Sequence, residues 1–151
     1  MRSFTKATLI GAAALSLSLT GAGVASAIDF PAPSKTDVGP YLQGDTVYFT
    51  AIGLNCSMTP TSVVGCDIPN GMFLTQVPTS PKVYDIAIDV PWFPAHPTFG
   101  IGGPHGRPGS APLDGSITFA GASCQIGFKG SLTCTSMGHS FTAWTPYLTV
   151  S

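Results

Sequence analysis

The sequence predicts an all-β domain: a small antiparallel sandwich or barrel with two disulfide-bridged hairpins. Three observations predict it. Short segments of alternating apolar and polar residues are separated by Gly- and Pro-rich punctuation. The four cysteines form two C-x9-C pairs, Cys56/Cys66 and Cys124/Cys134. Glutamate is absent and no segment after residue 27 combines helical periodicity with caps, which removes the usual signals for helix.

Residues 1–27 read as a secretory signal peptide. Arg2 and Lys6 form a basic start, Ala7 to Val24 is uncharged, and Ala25-Ser26-Ala27 supplies a small-x-small cleavage pattern before Ile28. A spanning helix wants about 20 predominantly apolar residues. Here Ser16, Ser18 and Thr20 interrupt the run and no basic stop-transfer residue follows. No transmembrane segment is expected after cleavage. The expected location is secreted, extracellular or associated with the cell envelope.

Residues 28–44, with Pro31, Pro33 and Pro40, read as an extended lead-in to a β domain over 45–151. Val47, Phe49 and Ala51 alternate with Thr46, Tyr48 and Thr50, as in a half-buried strand. Met72 to Val77 and Gly115 to Ala120 are shorter strand candidates. In Val83 to Val90, Tyr84, Ile86, Ile88 and Val90 form an apolar face. Asp85 and Asp89 sit opposite, which reads as a wet face. Phe141 to Val150 reads as one strand interrupted by Pro146, suited to an edge or bulge.

Each Cys pair fits a hairpin with a three-residue loop. Folding about Thr61 sets Cys56 against Cys66, Leu54 against Ile68 and Met58 against Val64. Folding about Lys129 sets Cys124 against Cys134 and Ile126 against Leu132, with Gly130 where a left-handed residue is wanted. One register thus satisfies both the apolar face and the sulfur contact, which favours Cys56–Cys66 and Cys124–Cys134. The two crossed pairings remain arithmetically open. An exported destination makes disulfides the default state, and neither pair has the short spacing of a zinc site.

Pro91 to Pro112 stands apart, with six Pro and five Gly around Trp92, Phe93, His96, Phe99, His105 and Arg107. A loop this long in a compact domain is commonly functional or disordered. Aromatics and Arg concentrate binding energy at contacts. Trp92, Phe99, His105 and Arg107 are therefore the candidate binding residues, against the alternative that the rings fold back into the core.

Removing residues 1–27 takes away Arg2 and Lys6. Four basic residues then face seven acidic ones, a net charge of −3. That is no footprint for nucleic acid. No nucleophile elbow is present; Gly121-Ala122-Ser123-Cys124-Gln125 lacks the closing Gly. Asp85 and Asp89 would lie roughly 13 Å apart along a strand, too far for a glycosidase pair. His96, His105 and His139 have no recognised ligand spacing, and no cofactor or metal is implied.

Tyr48-Phe49-Thr50, Asn55-Cys56, Val64-Gly65-Cys66-Asp67-Ile68, the pair Cys124 and Cys134, and Gly138-His139-Ser140-Phe141 together resemble a set of small exported four-cysteine proteins of actinobacterial type. Ala51-Ile52-Gly53-Leu54 stands where those proteins carry Ser-Pro-Ser-Gly. The set implies export and two disulfides, with no activity to carry over. The architecture is also similar to that of secreted neocarzinostatin-type apoproteins, which implies a two-disulfide sandwich carrying an apolar small molecule. The leading expectation is a non-enzymatic exported protein contacting a protein or envelope component through the 91–112 loop. Two alternatives are a carrier of an apolar small molecule and a small secreted hydrolase centred on His139.

Overall fold

A computed structural model describes residues 36–77, 79 and 81–151. The proposed signal peptide, and the lead-in as far as Lys35, lie outside the described residues. Among them, a 3-10 turn at Gly39–Tyr41 precedes ten strands: β1 Leu42–Gln43, β2 Thr46–Ala51, β3 Leu54–Met58, β4 Val64–Leu74, β5 Val83–Ile88, β6 Ser116–Phe119, β7 Ala122–Ile126, β8 Leu132–Ser136, β9 His139–Trp144 and β10 Tyr147–Val150. No helix among the described residues is long and apolar enough to cross a membrane.

The all-β architecture and both disulfide hairpins are as the sequence predicts. Cys56 lies directly opposite Cys66 and Cys124 opposite Cys134, at Cα separations of 4.0 and 4.1 Å. The flanking pairs Met58–Val64 and Ile126–Leu132 hold the expected register. The first hairpin turns through Pro60-Thr61-Ser62, with Ser62 left-handed at φ 66°. The second turns through Phe128-Lys129-Gly130, where Gly130 takes φ 72°.

The strands form one curled mixed sheet in the order β1-β2-β3-β4-β10-β9-β8-β7-β6, with β5 on the other edge of β4. The long strand β4 makes this possible. Its first half pairs with β3 and β5. After an irregularity between Asp67 and Met72, its end pairs with β10 in parallel, Phe73 opposite Tyr147 and Leu74 opposite Leu148. Three two-residue turns, Ile52-Gly53, Ala120-Gly121 and Met137-Gly138, have both central residues at positive φ. That is the hairpin turn whose twist matches the strands it joins.

The two halves of the sheet bury one core. Phe49, Leu54, Met58, Ile86 and Ile88 come from one half, and Ile117, Leu132, Phe141 and Leu148 from the other. Both disulfides are fully buried within it. The turn of the first hairpin is tied to the second half: Ser62 Oγ donates to the Ala120 carbonyl and Ser136 Oγ donates to that of Ser62.

Two strand readings are corrected. Phe141 to Val150 is a hairpin, β9 and β10, which turns at Thr145-Pro146 with Trp144 paired to Tyr147. Asp85 is not on a wet face. It is buried, as is Ala87 beside it, because the Pro91–Pro112 loop covers that side of β5.

Candidate functional site

The loop after β5 is an ordered strap laid across the outer face of the sheet. It first doubles back along β5. The Ala87 and His96 backbones exchange two hydrogen bonds of 2.9 Å, which covers part of an edge that would otherwise be open. It then crosses β4, β3 and β2 in turn.

Two carboxylates hold it. Asp85 Oδ1 accepts from the Thr98 and Phe99 amides at 2.7 and 3.1 Å. Its Oδ2 accepts from the Gly100 amide at 2.6 Å and the Thr98 hydroxyl at 2.7 Å. On the neighbouring strand Asp67, directly opposite Asp85, accepts from the His105 and Gly106 amides at 3.0 and 2.9 Å. Burial pushes the Asp85 carboxyl up. The Thr98 hydroxyl and the amides of Gly100, Thr98 and Phe99 outweigh it and hold the group below its ordinary value.

The fit beneath the strap depends on two glycines. A Cβ on Gly65 would stand 2.4 Å from the His105 ring, and one on Gly106 would stand 2.2 Å from the Asn55 backbone. Further on, Arg107 lies 4.4 Å from the centroid of the Tyr48 ring and donates to Gln43 Oε1 at 2.7 Å. The strap ends beside β2, where the Thr50 amide donates to Ala111 O and the Leu113 amide donates to Thr50 O.

The four sequence-predicted binding residues therefore divide into two pairs. His105 is half-buried, wedged over Gly65 with Nε2 3.0 Å from Thr98 Oγ1, and with Arg107 it fastens the strap. Trp92 and Phe99 point outward, each 80% exposed. Ile101 at 79% and Phe93 at 49% join them. Ile101 was missed by sequence reasoning, although its place among glycines in a loop was a usable signal. Near Trp92, the Phe93 ring meets His96 edge-on at 4.9 Å, and His96 Nε2 lies 3.6 Å from Asp89 Oδ1.

The hydroxyl–imidazole contact in the strap runs the wrong way for nucleophilic catalysis. Thr98 gives its proton to Asp85, so His105 Nε2 must donate to Thr98 rather than take a proton from it. His139, the centre of the hydrolase alternative, has Nε2 3.0 Å from the Pro91 carbonyl, a contact in which the nitrogen donates. Among the described residues no three His, Cys, Asp or Glu converge as a metal site. Lys82, Tyr84, Phe99, Gly100 and Pro104 border an open groove of about 510 Å³, with Asp67 and Asp85 also lining it. No family model matches the chain, and no curated protein or solved structure matches it either.

Proposed function

We propose that this is a non-enzymatic exported protein that contacts a protein or envelope component outside the cell through the outer strap. One observation supports the reading above the others. Trp92, Phe99 and Ile101 are held almost fully in solvent by a loop whose main chain is fixed. Single exposed apolar residues are ordinary, but several large ones held outward along one fixed loop offer the aromatic side chains in which contact energy concentrates. A fixed loop also loses less conformational freedom when it binds.

Export is supported by the character of residues 1–27. Two disulfides in the core fit a non-cytoplasmic location. The test is fractionation of the producing cells, with intact-mass analysis of the product. The wild-type chain is expected to begin at Ile28 and to be recovered with the envelope. The W92A/F99A double variant should shift to the medium while its thermal unfolding is unchanged. Equal partitioning of the two proteins would remove the strap from the contact.

A further inference from the structure

A second group of exposed rings lies where β9 and β10 meet β4 and β5, the seam between the two halves of the curled sheet. Trp144 and Tyr147 face each other across the β9–β10 hairpin with ring centroids 6.3 Å apart. Tyr147 is in turn directly opposite Phe73 of β4. Lys82, which leads into β5, sets its ammonium 5.3 Å from the Phe73 ring centroid. Register partners share a face, so these side chains form a row running across the strands. With strands about 4.8 Å apart, the row from Trp144 to Lys82 covers roughly 14 Å. Tyr84 extends it along β5. Its ring lies over Gly71, where an added Cβ would stand 3.0 Å from Cε1.

The row faces solvent. Trp144 is 39% exposed, Tyr147 46% and Tyr84 62%. These rings cannot be completing the core, because the alternate residues Ala143 and Leu148 already do so.

We infer that this row is a binding platform for an extended neutral polysaccharide. A pyranose presents an apolar C–H face and a rim of hydroxyl groups, and each needs its own complement. Aromatic rings placed in a row, Trp144 and Tyr147 tilted 46° to each other so as to follow a twisted chain, supply the faces. The rim needs donors and acceptors side by side. Among the described residues Lys82 makes one bond, to the Asn70 carbonyl, which leaves two ammonium protons to donate. Asp67 borders the same groove as Lys82 and Tyr84. Each of its oxygens accepts one strap amide and keeps a lone pair.

Charge selects among occupants. Lys82 is accompanied by the carboxylates of Asp67 and Asp85, so the groove carries no excess positive charge to draw an acidic polymer. Buried against a lipid surface, the Asp67 carboxylate would lose water without gaining donors. A neutral polyol loses nothing on either count. The row itself comes from β4, β5, β9, β10 and Lys82. Phe99 of the strap borders the same groove, and Trp92 is not among its lining residues, so Trp92→Ala separates this inference from the contact proposed for the strap.

Affinity electrophoresis of the disulfide-intact protein tests it, in gels containing the neutral pyranose polymers glucan, mannan or galactan, or polygalacturonate. Co-sedimentation with phosphatidylcholine vesicles runs alongside. At least one neutral polysaccharide should retard the wild-type protein. Trp144→Ala and Tyr84→Ser should each weaken that retardation about tenfold, and Trp92→Ala should leave it unchanged. Thermal unfolding of each variant confirms that the fold is intact. Phe73→Leu, which keeps an apolar side chain but removes the ring, gives a second reading at a more sheltered position. No retardation by any neutral polymer, binding only to polygalacturonate or vesicles, or undiminished binding by the Trp144 and Tyr84 variants would each overturn the inference.

Discussion

Asp85→Asn separates a clamp from a merely polar surface residue. The native carboxylate accepts four hydrogen bonds, two on each oxygen. An asparagine amide keeps one accepting oxygen and turns an N–H2 toward the other two donors. With the N–H2 in place of Oδ2 the Thr98 hydroxyl can rotate to another acceptor and the Gly100 amide is left facing a donor. The opposite orientation leaves both the Thr98 and Phe99 amides so, and the first is therefore preferred. Hydrogen bonds to a charged group are worth about 1.5–3 kcal/mol each, and a buried donor left unpaired costs about 1–3 kcal/mol. Phe99 and Gly100 lie at the surface, where water can recover part of the loss. The expected destabilisation is therefore about 2–4 kcal/mol, read from urea unfolding at pH 7. Hydrogen exchange should locate it: amides of 96–106 should lose protection while β7 to β9 keep theirs. Acid supplies a sign check. The folded carboxyl titrates below its ordinary value, so its stabilisation is complete above the unfolded value near pH 4 and fades as pH falls through the folded one. The gap between wild type and variant should accordingly narrow on acidification below about pH 4. A variant within 0.5 kcal/mol of wild type at pH 7, or uniform loss of protection across the sheet, would refute the clamp.

Two further outcomes follow from the same framework. Gly65→Ala should cost about 1–3 kcal/mol by overpacking and should displace the His105 ring, seen as a change in its imidazole proton shifts. Each disulfide closes a loop with a sequence separation of 10, so replacing either pair with alanine should lower stability by about 3 kcal/mol in denaturant titration.

The parts of this fold that could be read from sequence are those set by near neighbours. Cys56 and Cys66, or Cys124 and Cys134, are close along the chain, and a single register satisfies their sulfurs and the apolar residues beside them. Val47, Phe49 and Ala51 alternate on an ordinary strand and are buried as the alternation implies. Asp85 defeats the same logic. Alternation shows that its side chain points away from Ile86, but not that Thr98 to Gly100 will return to cover it. The donors are backbone amides, which leave no mark in the residue types. The aromatic row was hidden for a related reason. Phe73 and Tyr147 meet only through the parallel β4–β10 pair, 74 residues apart in the chain, and reading 141–150 as one strand removed the turn that brings Trp144 beside Tyr147.

The carboxylates of Asp67 and Asp85 grip the strap almost wholly by its main chain, and this separates how the segment is held from what it displays. Apart from Thr98, His105, Gly106 and Arg107, whose own atoms enter the fastening, and the glycines at positive φ, its outward positions can change identity without loosening the grip. Ile101, and Phe99 for residues that tolerate its left-handed φ of 56°, are thus variable sites on a fixed mount, whereas Gly102 and Gly103, both at φ 89°, shape the mount itself; altering the former would retune what the molecule recognises while the β framework beneath stays the same.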